Sequence, residues 1–206
     1  MESYRTIRRA AETEFVEKRS RFIGAARPVS TESEAMEFIA ERRKIHWNAT
    51  HNVYAYVLRD GQVQRYSDDG EPQGTAGIPV LDMLLKENLT DCAVVVTRYF
   101  GGVLLGTGGL VRAYTKSAKL AVETAEPVEM VMCCRAVIKC DYSQYGRVAS
   151  LIPACNGVVT DTAYTDSVEI EFVIPRDMVD FLKKELTELS SGGLEAEVLG
   201  EEFVPF

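Results

Sequence analysis

From Cys92 to Val122 the chain carries no Asp or Glu, although acidic residues outnumber Lys and Arg by 31 to 23 overall. The charges in that window are Arg98, Arg112, Lys116 and Lys119. On a helix, positions 112, 116 and 119 follow i, i+4, i+7 spacing and share one face. Like charges so spaced cost an isolated helix roughly 0.2–0.5 kcal/mol per pair, so the row calls for an anionic partner or for acids supplied elsewhere in the fold. Gly101, Gly102, Gly106, Gly108 and Gly109, with Thr107 among them, lie between a β-branched run and the helical pattern. Glycine admits positive φ and close backbone approach, so a glycine-rich turn ahead of a helix N-terminus can cradle an anion. The chemistry indicated is phosphate binding, with Tyr99 or Tyr114 placed to stack on a base.

A second cluster precedes it. Ser67-Asp68-Asp69-Gly70-Glu71-Pro72 brings Asp68, Asp69 and Glu71 within four positions. They could hold Mg²⁺, but the spacing departs from the EF-hand loop, and capping of turns and of the next helix is favoured. His51 and Asn52 stand at the mouth of a strand and could point toward a ligand, although structural hydrogen bonding is their favoured role. With no cysteine near the histidines, no metal site is expected. No Gly-Lys-Ser/Thr follows the glycine turn, and neither a Gly-x-Ser-x-Gly elbow nor a Cys/His signature occurs. The reading is a binding protein without catalytic residues, cofactor or metal.

The elements that must position these groups follow from periodicity. Ala11 to Glu17 alternates as an edge strand, and Phe22 to Val29 reads as a strand closed by Pro28. Thr31-Glu32-Ser33-Glu34 has capping-box spacing, with Met36, Ile39 and Ala40 on one face of the helix that follows. Val53 to Leu58 pairs through Asp60-Gly61 with the strand reaching Tyr66. Pro79 suits the first position of a helix carrying Val80, Leu81, Leu84 and Leu85 inward. Cys92 onward is the central strand, and Leu110, Ala113, Tyr114, Ser117, Ala118 and Ala121 form the inner stripe of the glycine-led helix.

Beyond Glu126-Pro127 the pattern is strand, helix, strand, strand, helix, strand, the βαββαβ of a ferredoxin-like domain. Domains of 1–126 and 127–206 are therefore expected in an α+β chain. They differ in charge, with 17 Lys and Arg balancing 17 acids in the first and 6 facing 14 in the second. Five cysteines without CxxC spacing read as buried, reduced thiols. The absence of a long apolar run or a signal-like start leads to the expectation of a cytoplasmic protein.

Several phrases together resemble the YigZ/IMPACT family: Lys18-Arg19-Ser20-Arg21-Phe22-Ile23, Ala49-Thr50-His51-Asn52, Ser67 to Pro72, Gly74-Thr75-Ala76-Gly77, Val95 to Gly102, and Leu105 to Tyr114. Ile78 stands where the family often has Lys, and Leu104 where it sometimes does. The resemblance implies an Impact N-terminal domain with a four-stranded sheet backed by helices, as in the second domain of ribosomal protein S5. It also implies a ferredoxin-like second domain similar to one in elongation factor G. Eukaryotic relatives regulate translation initiation, so the resemblance implies RNA or a ribosome-associated protein as partner; no membrane and no DNA sequence specificity are expected. Two alternatives stand beside it. One is an enzyme on a phosphorylated small molecule with a kinase-like glycine loop, and the other is a protein-interaction module, its basic face docking on an acidic protein.

Overall fold

The computed structural model describes residues 2–205. The chain divides into two compact units, Tyr4–Glu129 and a second built from Met130 onward together with Ser3. After β1 (Ser3–Ile7), the first unit runs through β2 (Ala11–Glu17), β3 (Ser20–Pro28), α1 (Glu32–Ile45), β4 (His51–Leu58), β5 (Val63–Ser67), α2 (Gly77–Lys86), β6 (Cys92–Tyr99) and α3 (Thr107–Thr124). Its sheet has the order β2-β3-β6-β4-β5 and is antiparallel at every pairing. The resemblance implied four strands. The fifth is β2, whose alternating residues pair along β3 from Ala11 opposite Ala26 to Glu17 opposite Ser20.

Strand β6 lies at the centre, and helices cover both of its faces. Cys92, Val94 and Val96 join a core with Val80 and Leu84 of α2 and Leu110, Tyr114 and Ala118 of α3. Ala93 and Val95 join Phe38 and Ile39 of α1 on the other side. A strand buried on both faces has no reason to alternate, which is why this one reads as an unbroken apolar run.

Two helix faces differ from the sequence expectation. On α1 the buried stripe is Ala35, Phe38, Ile39 and Arg42, while Met36 and Ala40 are exposed. Arg42 can be buried because its guanidinium meets Glu12 of β2 at 2.6 Å. On α2, Pro79 is the third helical residue rather than the first, and Val80, Met83 and Leu84 are buried while Leu85 is exposed. The start of α2 is held by Asp68, whose carboxylate accepts from the amides of Gly74 (2.9 Å), Ala76 (3.1 Å) and Gly77 (2.8 Å). A charged acceptor serving several helix-start amides is worth more than one neutral cap. Asp68→Ala is expected to cost about 2 kcal/mol, read as a lowered urea midpoint, with Asp68→Asn retaining part of the stability.

The second unit contains most of β7 (Pro127–Cys140), then α4 (Tyr142–Ala154), β8 (Val158–Tyr164), β9 (Val168–Pro175), α5 (Val179–Ser190) and β10 (Ala196–Pro205). The strands run β10-β7-β9-β8, antiparallel throughout, with β1 also pairing with β7. Numbered within the unit, that order is 4-1-3-2, the ferredoxin-like arrangement. Cys134, Ala136 and Ile138 of β7 form its core with Val148 and Ile152 of α4 and Leu182 and Leu186 of α5. All five cysteines are buried and unpaired by disulfides, and burial pushes the Cys92 thiol up to about 12. Among the described residues no helix is long and apolar enough to cross a membrane.

Candidate functional site

The turn between β5 and α2 delivers three carboxylates to three different tasks. Asp68 caps α2, as described above. Asp69 accepts from the Asn52 amide (2.6 Å) through Oδ2 and from Arg43 (2.8 Å) through Oδ1, which ties the turn to β4 and α1. Glu71 is buried, at 7% exposure, and its Oε1 accepts from Arg98 Nη1 (2.6 Å) and Tyr114 Oη (2.7 Å). Arg98, on β6 and 4% exposed, also donates from Nη2 to Ser20 Oγ (3.3 Å), and its guanidinium lies 5.5 Å from the ring centres of Phe22 and Phe100. Its Nε has no partner among the described residues. Burial and the Glu71 carboxylate both push the Tyr114 phenol up, so Tyr114 stays a neutral donor. His51 Nδ1 lies 2.8 Å from the Asp69 carbonyl, which can only accept, so Nδ1 carries a proton. Its Nε2 stands 3.8 Å from Glu71 Oε1.

Facing this cluster is the glycine turn. A Cβ on Gly101 would overlap the Arg19 carbonyl group, so glycine is what lets the turn lie against the β2–β3 hairpin. Gly102 (φ 81°) and Gly106 (φ 72°) are left-handed, a conformation that L side chains rarely adopt. Gly106 caps α3 without any side-chain bond, and the first amides of an α-helix have no partners within the helix. Between the two loops lies a cleft of about 460 Å³, lined by His51, Glu71, Arg98, Phe100, Leu104 and Thr107 among others.

On the other flank of the α3 start is a smaller cavity of about 240 Å³, walled by Lys18, Arg112, Lys116, Phe15 and one acid, Glu17. A Cβ on Gly108 would sit 3.9 Å from Arg112 Nη1, which places that guanidinium beside the first-turn amides of α3. Lys116 Nζ lies 4.6 Å from the Phe15 ring centre, a contact that orients the ammonium without neutralising it. Lys119 meets Glu123 at 3.9 Å, one helical turn on and just outside the acid-free window.

The sequence-derived residues thus separate into two groups. Gly102, Gly106, Thr107, Gly108, Arg112, Lys116 and Lys119 are exposed, Gly109 and Gly101 are partly so, and His51 lines the cleft half-buried. Arg98, Tyr114 and Asn52 are internal. Arg98 was expected to meet phosphate, but Glu71 already neutralises it. Tyr114 was a candidate for stacking, but it is fully buried. Asn52 Oδ1 accepts from Thr97 (2.8 Å) inside the sheet. Tyr99 is tied by its hydroxyl to His46 (3.0 Å), with Arg21 over its ring. Among the described residues, no three His, Cys, Asp or Glu side chains gather as a metal site would need. Lys18, Phe15, Phe100 and Leu104 were not foreseen as site residues. The Lys18-Arg19 turn reads as basic in the sequence, but only the β2–β3 hairpin brings it alongside α3.

Fold and site define a class: a two-unit α+β protein whose first unit carries a glycine-turn cleft beside a cationic helix face, with a ferredoxin-like second unit. Residues 18–122 match the Impact N-terminal domain and residues 138–192 match a domain of unknown function, DUF1949. The chain is 40% identical to the IMPACT family member YvyE of Bacillus subtilis, over 93% of this chain and 89% of that one. It is 33% identical to the IMPACT family member YigZ of Escherichia coli, over 86% and 89%. Protein IMPACT of Bos taurus is 37% identical over 44% of this chain and 30% of its own. A solved crystal structure of a hypothetical protein, 31% identical, superposes with a TM-score of 0.61 over 98% of this chain and all of that one. The chain belongs to the IMPACT family.

Proposed function

We propose that this protein binds single-stranded RNA through the cationic face at the start of α3, in a role connected with translation. One observation carries the reading: cations without an ion pair gather around a single cavity at that face. Among the described residues nine of the unit's arginines are ion-paired, at positions 5, 8, 9, 21, 27, 42, 43, 59 and 98. Of the cations with no ion pair among the described residues, Arg112, Lys116 and Lys18 surround one cavity, while Arg19, Lys44, Arg65 and Lys86 do not line it. Cations left unpaired beside the free amides of a helix start form a patch of positive potential on a chain of net charge −8.

RNA is favoured over duplex DNA because the patch is a local concavity, which suits a flexible single strand. Contacts from Lys18, Arg112, Lys116 and Lys119 to phosphates position a strand without selecting its sequence. Replacing Arg112 and Lys116 together by Gln should lower affinity for a single-stranded RNA at least about tenfold at low salt. The matched change of Lys44 and Lys86, which lie on other helices, should leave it unaltered. Equal losses from both pairs would mean that bulk charge alone is read. RNA binding unaffected by either pair, with capture of ribosomal protein instead, would transfer the face to a protein partner.

A further inference from the structure

We infer that the 460 Å³ cleft between the glycine turn and the residue 67–76 turn binds a ribonucleoside 5′-monophosphate, either free or as the phosphorylated end of an RNA chain. This goes beyond the contact along the cationic face and does not depend on it. The cleft arranges three kinds of surface in the sequence such a molecule presents. At one end Gly106 and Thr107 offer the α3 start, whose amides lack a side-chain cap and favour a phosphate dianion. On the wall stand His51 Nε2 and the Glu71 carboxylate, 3.8 Å apart. Because His51 Nδ1 donates to Asp69, Nε2 is the ring nitrogen left to meet a ligand, and with the Glu71 carboxylate beside it the pair suits the hydroxyls of a ribose.

At the mouth are two exposed apolar side chains, Phe100 at 46% and Leu104 at 81%. A base stacked on Phe100 would cover both. The second observation pointing to a ligand is Arg98: it is 4% exposed, it lines the cleft, and while its two Nη atoms bond Glu71 and Ser20, its Nε–H has no acceptor among the described residues. Buried donors are rarely left so. The volume lies within the usual range for small-ligand sites, about 300–1,000 Å³.

The experiment is calorimetric titration of the full chain with the four ribonucleoside 5′-monophosphates, the matching deoxyribonucleotides, the nucleosides and inorganic phosphate. It is repeated with an RNA oligomer carrying either a 5′-phosphate or a 5′-hydroxyl. At least one ribonucleotide should bind ten times more tightly than its nucleoside, its deoxy form and inorganic phosphate. Leu104→Glu and Phe100→Ala, both at exposed positions, should each weaken that binding at least tenfold while leaving the thermal midpoint within a few degrees.

Tighter binding of 5′-phosphorylated than of 5′-hydroxyl RNA, lost in Leu104→Glu, identifies an RNA end as the source. Equal affinity of free nucleotide and phosphorylated RNA identifies the free nucleotide. The inference is overturned if no monophosphate binds at millimolar concentration and the 5′-phosphate makes no difference to RNA, or if Leu104→Glu leaves binding unchanged. The cationic face would survive that result, because its contacts with the 5′-hydroxyl RNA do not involve Leu104.

Discussion

Replacing Glu71 by Ala is expected to destabilise the first unit by about 3–5 kcal/mol, the usual cost of removing one partner from a buried ion pair. The side chains of Glu71 and Arg98 are 3% and 5% exposed, and their contact is 2.6 Å. Without the carboxylate, the Arg98 guanidinium keeps only Ser20 Oγ at 3.3 Å, and the buried Tyr114 hydroxyl loses its 2.7 Å acceptor. The whole penalty of an uncompensated charge then falls on the folded state. The double change Glu71→Leu with Arg98→Met should recover most of the loss, since replacing both partners of a buried pair by apolar groups is often close to neutral. Urea unfolding of the two single variants and the double variant measures the coupling. Additive losses would show that the pair does not hold the 67–76 turn to the central strand.

Gly24→Ala should also be strongly damaging, at about 3 kcal/mol, or a fall in thermal midpoint of roughly 6–12 °C. Gly24 sits in β3 between Thr13 of β2 and Val96 of β6. A methyl there would overlap the Ser117 carbonyl oxygen of α3 and stand 2.8 Å from Ser117 Oγ. Both obstructions belong to packed elements, so relief requires lifting α3 from the sheet. That would also move Tyr114 away from Glu71 and Arg112 away from the glycine turn. Gly146→Ala, where a Cβ meets nothing within 4 Å on the exposed face of α4, is the comparison expected to hold or raise stability. A Gly24→Ala protein as stable as the parent would mean that α3 does not rest on β3 this closely.

Much of the fold was legible because its signals are local. The apolar run from Cys92, the glycine-led helix and the βαββαβ order of the second unit each follow from periodicity within a dozen residues. The helix faces that were misassigned depend on distant partners. Arg42 replaces Ala40 in the α1 stripe only because Glu12 of another strand is there to receive it. Leu85 was as apolar as its neighbours, and nothing in the local pattern shows that Met83 takes the inward position.

The site divides in the same way. Arg112, Lys116 and the glycine turn were legible because helical spacing and missing acids suffice to mark an unpaired row. The pairing of Arg98 with Glu71 was not, since it joins residues 27 apart through a turn whose course the sequence leaves open. The three neighbouring carboxylates looked alike in sequence and do different work: Asp68 caps a helix, Asp69 anchors a turn and Glu71 neutralises a buried arginine. Phe100 and Leu104 gain meaning only once the cleft beneath them is seen.

The salt dependence of RNA affinity tests the central claim most directly. For the parent chain and the Arg112→Gln, Lys116→Gln double variant, the association constant for one single-stranded RNA is measured from about 50 to 200 mM salt. Two lost phosphate contacts should make the slope of log affinity against log salt shallower by up to about two units. A slope identical in the two proteins, or no RNA binding by the parent at the lowest salt, would contradict an RNA-binding role for the α3 face.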